Sequence, residues 1–155
     1  MIRFRKMLPA EFSQYRQAAI EQFALEKIRV GTWTQTTAKK LAEYEFNILL
    51  PQGCATPVNY LFKIVVENKI VGNFWLAKSA NSSKTAFIYD FEILPEFQNQ
   101  GLGTKALDLG CKFAQQQGFS KIELHVFGGN QRAIHVYQKA GFSMTDIVMQ
   151  RKLEF

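Results

Sequence analysis

Apolar positions along the chain change spacing several times, and each change marks an element. From Ile2 to Leu8 apolar and charged residues alternate as in an edge strand, which Pro9 ends. Phe12, Tyr15, Ala19 and Phe23 then recur at helical spacing, predicting a helix to about Gly31. Thr34 or Thr36 can cap a second helix through Leu50, with Ala38, Leu41, Ala42, Ile48 and Leu49 as its stripe and Pro51 as its stop. After a loop from Gln52 to Asn59, the β-prone runs Tyr60 to Glu67 and Ile70 to Ala77 flank Asn68 and Lys69, the spacing of a hairpin.

Beyond the polar stretch Ser79 to Lys84 the pattern becomes a crossover. A strand Ala86 to Leu94, a loop, a helix Gly101 to Gln117 and a strand Lys121 to Val126 form a β-α-β unit, whose strands are parallel and in one sheet. A helix from Asn130 to Ala140 closes at Gly141, and a last strand is expected over Phe142 to Leu153. The order β-α-α-β-β-β-α-β-α-β describes an α/β (α+β) fold: a mixed, mostly antiparallel sheet with a parallel pair and four helices.

At 155 residues, with 47% hydrophobic and 21% charged positions, the chain fits one globular domain, 1–155, and not a disordered or fibrous one. No apolar stretch has the length of a membrane span, and the charged start leads into no signal-like segment. A cytoplasmic location with reduced thiols at Cys54 and Cys111 is the expectation. The two cysteines and the histidines His125 and His135 complete no zinc pattern, so no metal is expected. The net charge of +6 favours phosphate-bearing ligands in general, but the basic residues are scattered, so nucleic acid is not the expected partner.

The segment carrying chemistry joins the Ala86 to Leu94 strand to the following helix through Gly101-x-Gly103. Unpaired N–H groups at a helix start, with glycines beside them, make a cradle for pyrophosphate. A dinucleotide fingerprint fits poorly, because six residues separate the strand from the first glycine. A P-loop fits poorly as well, because Lys105 follows Thr104 instead of preceding it.

Gln98-x-x-Gly101-x-Gly103 resembles the acyl-CoA signature of the GNAT superfamily of N-acetyltransferases, and Asn130-x-x-Ala133-x-x-x-Tyr137-x-x-x-Gly141-Phe142 resembles its second signature. The resemblance, to a small single-domain member of bacterial type, covers Tyr60 to Leu153 well. It implies an acetyl-CoA-dependent enzyme transferring acetyl directly to a primary amine of a small molecule, peptide or protein through a tetrahedral intermediate. By that resemblance the backbone of Gln98, Asn99, Gln100, Gly101, Leu102, Gly103 and Thr104 holds the CoA pyrophosphate. Ile93 and Leu94 splay from the next strand so that pantetheine pairs there, and Asn130 and Tyr137 sit near pantetheine and sulfur.

Tyr137 matches the family's usual acid. The base is open among Asp90, Glu92 and His125. On strict alternation Asp90 and Glu92 share a face with Ile88, unless a bulge resets the register, and they either meet solvent or line the acceptor cleft. His125 has a side chain whose ordinary pKa suits the task, although a lone histidine is more often structural. Trp33, Trp75 and Tyr60 are read as core before pocket lining, and His135 as surface. Homodimers are common in the family, with no interface legible here. The rival readings are a catalytically silent CoA-binding sensor and, from the charge alone, a nucleic-acid binder.

Overall fold

The computed structural model describes residues 1–155. Its elements run β1 (Ile2–Lys6), α1 (Pro9–Arg29), α2 (Ala38–Leu49), β2 (Asn59–Val66), β3 (Lys69–Lys78), β4 (Thr85–Ile93), α3 (Leu102–Gln116), β5 (Lys121–Leu124) and α4 (Gln131–Lys139). The five strands form one sheet in the order β1-β2-β3-β4-β5. The first four are antiparallel to their neighbours, and β4 and β5 are parallel.

Local chemistry explains the element starts. Pro9 occupies the first turn of α1, where its missing N–H costs nothing. Glu11 accepts the Leu8 N–H at 2.9 Å and takes both guanidinium nitrogens of Arg5, at 3.0 and 2.8 Å. That fork, with the backbone donor, holds the Glu11 carboxyl at about 2. Between β2 and β3 the turn residues are Glu67 and Asn68, at φ 49° and 64°, so the hairpin turns one residue earlier than the spacing predicts.

Alternation along β2 and β3 feeds two cores. Leu61 and Trp75 face α1 and α2, packing with Phe12, Tyr15, Ala42 and Phe46. Phe62, Phe74 and Leu76 face α3, with Ile88, Ala106 and Leu107. Each fully buried side chain of Leu or Phe size contributes about 1.5–3 kcal/mol. Two glycines permit close approach: a Cβ at Gly110 would collide with the Phe74 ring, and one at Gly72 with the Glu92 carbonyl oxygen.

The fold class and the order of the first nine elements are as the hydrophobic pattern predicts. The strand expected over Phe142 to Leu153 does not form: residues 142–155 carry no secondary structure and 143–155 are exposed. Strand β5 stops at Leu124 instead of Val126, which leaves His125 in the following loop. No helix is long and apolar enough to cross a membrane.

Candidate active site

A bulge in β4 builds the site. Trp75 faces Asp90 while Leu76 faces Ile88, so Tyr89 is an extra residue on the β4 side of the ladder. Strict alternation would leave Asp90 on the face of Ile88. After the bulge, Ile88, Phe91 and Ile93 pack in the α3 core, whereas Tyr89 joins the α1–α2 core. Phe87, Asp90 and Glu92 line a cavity of about 680 Å³ between α1, α2 and the C-terminal ends of β4 and β5. Its wall holds four carboxylates, Glu26, Glu45, Asp90 and Glu92, against Lys27 and Lys63, in a chain whose net charge is +6.

Two of these carboxylates are held by named partners. Tyr15 donates its hydroxyl to Asp90 Oδ2 at 2.5 Å. Lys63 Nζ donates to Asn73 Oδ1 at 2.8 Å, and Asn73 Nδ2 donates to Glu92 Oε1 at 2.6 Å. Burial above all lifts the Asp90 carboxyl, against the pull of the Tyr15 hydroxyl and the Phe91 N–H and with help from the charges of Glu92 and Glu26, to about 6. Burial lowers Lys63 from the ordinary lysine value, while the charges of Glu11 and Glu92 raise it. Burial, with the charges of Asp90 and Glu26, pushes the Tyr137 hydroxyl up to about 12. Tyr137 therefore stays protonated throughout the neutral range.

The cradle lies past the end of β4. Strands β4 and β5 pair only from Thr85–Lys121 to Ile88–Leu124, so β4 has an open edge on that side beyond Ile88. Leu94 N–H donates to Val71 O at 2.8 Å, which makes Gly72 and Ile93 a non-hydrogen-bonded pair and turns the Ile93 N–H toward the open edge. Next, Asn99 and Gly101 adopt φ of 63° and 76°, and α3 starts with no side-chain cap and no acid in its first turn. Asn99 through Thr104 donate no backbone hydrogen bond; the first such donor is Lys105, to Gly101 O at 3.4 Å. Six consecutive free N–H groups at a helix start fit a diphosphate.

The sequence profile of the Acetyltransferase (GNAT) family matches residues 16–142. The chain belongs to this family. It is 36% identical over 149 residues, 95% of its own length and 96% of the relative's, to the uncharacterized N-acetyltransferase YycN of Bacillus subtilis (strain 168). It is 33% identical, over 95% of both chains, to YdgE of the same strain. A crystal structure of YycN superposes with a TM-score of 0.93 over the whole of both chains at 34% identity. The aminoglycoside acetyltransferase AAC(6')-Iy, in complex with a CoA-based bisubstrate analogue, shares the fold at a TM-score of 0.62 and 15% identity, covering 100% of this chain and 99% of that one. GNAT membership makes the protein an acyltransferase that draws on acetyl-CoA.

In this GNAT acetyltransferase Asp90, Glu92 and His125 lie on one cavity wall, whereas Tyr137 lies outside the lining, its ring 6.4 Å from Phe91. Asn130 caps α4, accepting the Ala133 N–H at 3.2 Å. Three sequence expectations change in detail. The Gln98 N–H donates to Pro95 O at 3.3 Å and its side chain to Ile93 O at 2.8 Å, so Gln98 ties the loop to β4 and the free amides start at Asn99. Leu94 spends its N–H on β3, leaving the Ile93 N–H as the outward donor. A Cβ at Gly103 would meet Val136 Cγ1 at 3.4 Å, an ordinary contact, so packing alone does not demand glycine there, whereas Gly101 adopts a left-handed φ that favours glycine.

Sequence reasoning passed over Tyr15, Lys63, Asn73 and Arg132. Arg132 donates to Asn99 Oδ1 at 3.3 Å and sets a guanidinium beside the cradle, the charge that Gln98 does not supply. Tyr15 and Asp90 are 75 positions apart, and no local pattern joins them. Trp75 packs in the α1–α2 core and also lines the cavity, Trp33 packs against that core, and Tyr60 packs on the α3 side.

Proposed function

We propose that this enzyme transfers an acetyl group from acetyl-CoA directly to a primary amine, with Asp90 as the base and Tyr137 as the acid. The observation that carries the reading is the pair of titratable groups at the open end of β4, both raised by burial. Asp90 titrates near 6 in an acid-rich cavity, and Tyr137 is held protonated on the other side of the strand.

The loop from Asn99 to Thr104 holds the diphosphate of the cosubstrate, Gly101 making the turn and Arg132 adding charge. Bound there, acetyl-CoA supplies an activated acyl carbon. The Ile93 N–H faces the open edge, where it can polarise the acyl oxygen. An acceptor arrives as an ammonium ion, which the carboxylates Glu26, Glu45, Asp90 and Glu92 attract. An ammonium has no lone pair, so it must lose a proton before attack. Asp90, directly or through a water, takes that proton, and Tyr15 fixes the carboxylate's orientation. Lys63, held on Asn73, which in turn donates to Glu92, adds a positive charge to this wall. His125 stands at the cavity wall beside Phe127, rings 5.0 Å apart. Tyr137 donates a proton to the departing thiolate, so no side chain carries the acyl group.

The test is release of free CoA thiol from acetyl-CoA with primary amines, against alcohols and carboxylates of matched size. Release should depend on amines alone, and Tyr137→Phe should lower turnover about 100-fold or more with acetyl-CoA affinity unchanged. Amine-independent release, or an unchanged rate in Tyr137→Phe, would contradict the proposal.

A further inference from the structure

The acceptor cavity carries more negative charge than its own cations answer. Glu26 on α1, Glu45 on α2, and Asp90 and Glu92 on β4 form no ion pair; the two ion pairs of the chain, Met1 with Glu67 and Arg5 with Glu11, lie outside the cavity lining. The two lysines of the lining are engaged elsewhere. Lys63 gives its Nζ to Asn73 Oδ1, and Lys27 holds its Nζ 5.5 Å from the ring centroids of both Phe23 and Trp33. With Asp90 ionised, four carboxylates against two lysines leave two negative charges unmatched. The acids also stand on two walls, Glu26 and Glu45 on the helices, Asp90 and Glu92 on the sheet.

A run of aromatic rings connects the walls. Centroid to centroid, Phe23 stands 6.4 Å from Phe46, Phe46 5.5 Å from Trp75, Trp75 4.8 Å from Tyr89, and Tyr89 4.8 Å from Phe87, and all five line the cavity. The Trp75 Nε1–H is spent on Asn59 Oδ1 at 2.9 Å, so its ring offers carbon to a ligand. Methylene groups bury well on such a surface, and ring faces also attract a nearby cation.

Resting on the amine-transfer reading above, we propose that the acceptor is a small diamine or polyamine, whose reacting ammonium meets Asp90 and Glu92 while a second ammonium is held by Glu26 and Glu45. A volume of about 680 Å³ suits a molecule of that class. The charge of Glu26 acts on both Asp90 and Tyr137, so the anchoring wall faces the reacting end. An acceptor with a carboxylate beside its amine is repelled by the same acids. Transfer forms one N–C bond and breaks the thioester C–S bond; the reacting ammonium loses two protons, one ending on the thiol and one leaving through Asp90. The product keeps one ammonium fewer and fits the two walls less well, so a diamine receives one acetyl group.

The experiment compares CoA thiol release by the full chain with straight-chain diamines and with monoamines of the same carbon count, and identifies the products by mass spectrometry. Diamines should show kcat/KM about 10-fold or more above the monoamines, carried mainly by KM, and give the monoacetylated product. The double substitution Glu26→Gln, Glu45→Gln should bring the two series to about equal kcat/KM. Neither side chain is in an ion pair, and the monoamine turnover that remains shows the variant to be folded. Monoamines used as well as diamines by the unmodified chain, a preference that survives the double substitution, or acetylation of both ends at equal rates would overturn the proposal while amine transfer stands. No release with any amine would overturn both.

Discussion

Gly101→Asp will weaken acetyl-CoA binding by about 100-fold or more, whereas Gly101→Asn will retain most of it. Gly101 sits at φ +76° with nothing within 4 Å of where a Cβ would stand, so the position is restricted by backbone conformation and not by crowding. Asn and Asp both tolerate the left-handed region better than other side chains, and their backbone cost is similar. They differ in charge. A carboxylate about 5 Å from a phosphate charge costs roughly 3 kcal/mol at an effective dielectric constant near 20, or about 100-fold in affinity. Titration calorimetry with acetyl-CoA separates the two variants. Equal affinities for Gly101→Asp and the unmodified chain would mean that the free amides of Asn99 to Thr104 do not face the phosphates.

Asp90→Asn will lower kcat by about 100- to 10,000-fold, the usual contribution of a positioned base. It will also remove the acid limb of the pH profile. In the unmodified enzyme the rate should rise with pH as Asp90 deprotonates, through about 6, and level off above. The same substitution should stabilise the protein at pH 8. The Asp90 carboxyl is raised from 3.8 to about 6, so the folded state holds this proton more tightly than the unfolded chain. Stability therefore falls as pH rises across that interval, and the cost of the charged form is complete above it. A neutral amide can still accept the Tyr15 hydroxyl and is free of that cost. Loss of turnover with a raised midpoint at pH 8 is the signature of a group held for chemistry; loss of both would mark Asp90 as structural.

The fold was legible because its signals are local. Pro9, Pro51 and Gly141 punctuate helices, and alternation in β2 and β3 assigns Leu61 and Trp75 to one face and Phe62 and Phe74 to the other. The cradle was legible for the same reason, since its residues are consecutive. The proposed acid–base site was only half legible. Asp90, Glu92 and His125 stand out as polar groups near strand ends, but whether the two acids face the cavity depends on the bulge at Tyr89, and the partner strand decides where a register slips. Tyr15 and Asn73 reach the carboxylates from α1 and β3, contacts that exist only once the sheet has formed. The stretch Phe142 to Leu153 reads as a strand by its pattern, yet it pairs with no strand of the sheet.

The most direct measurement is the melting midpoint with and without saturating acetyl-CoA, with ADP as the control for a diphosphate alone. A ligand at about a hundred times its Kd adds about 2.7 kcal/mol, which for a domain of this size raises the midpoint by roughly 5 to 11 °C. A rise of that order with acetyl-CoA, and a much smaller one with ADP, is the predicted result. No rise with acetyl-CoA would contradict the cradle and the open edge of β4 as its seat.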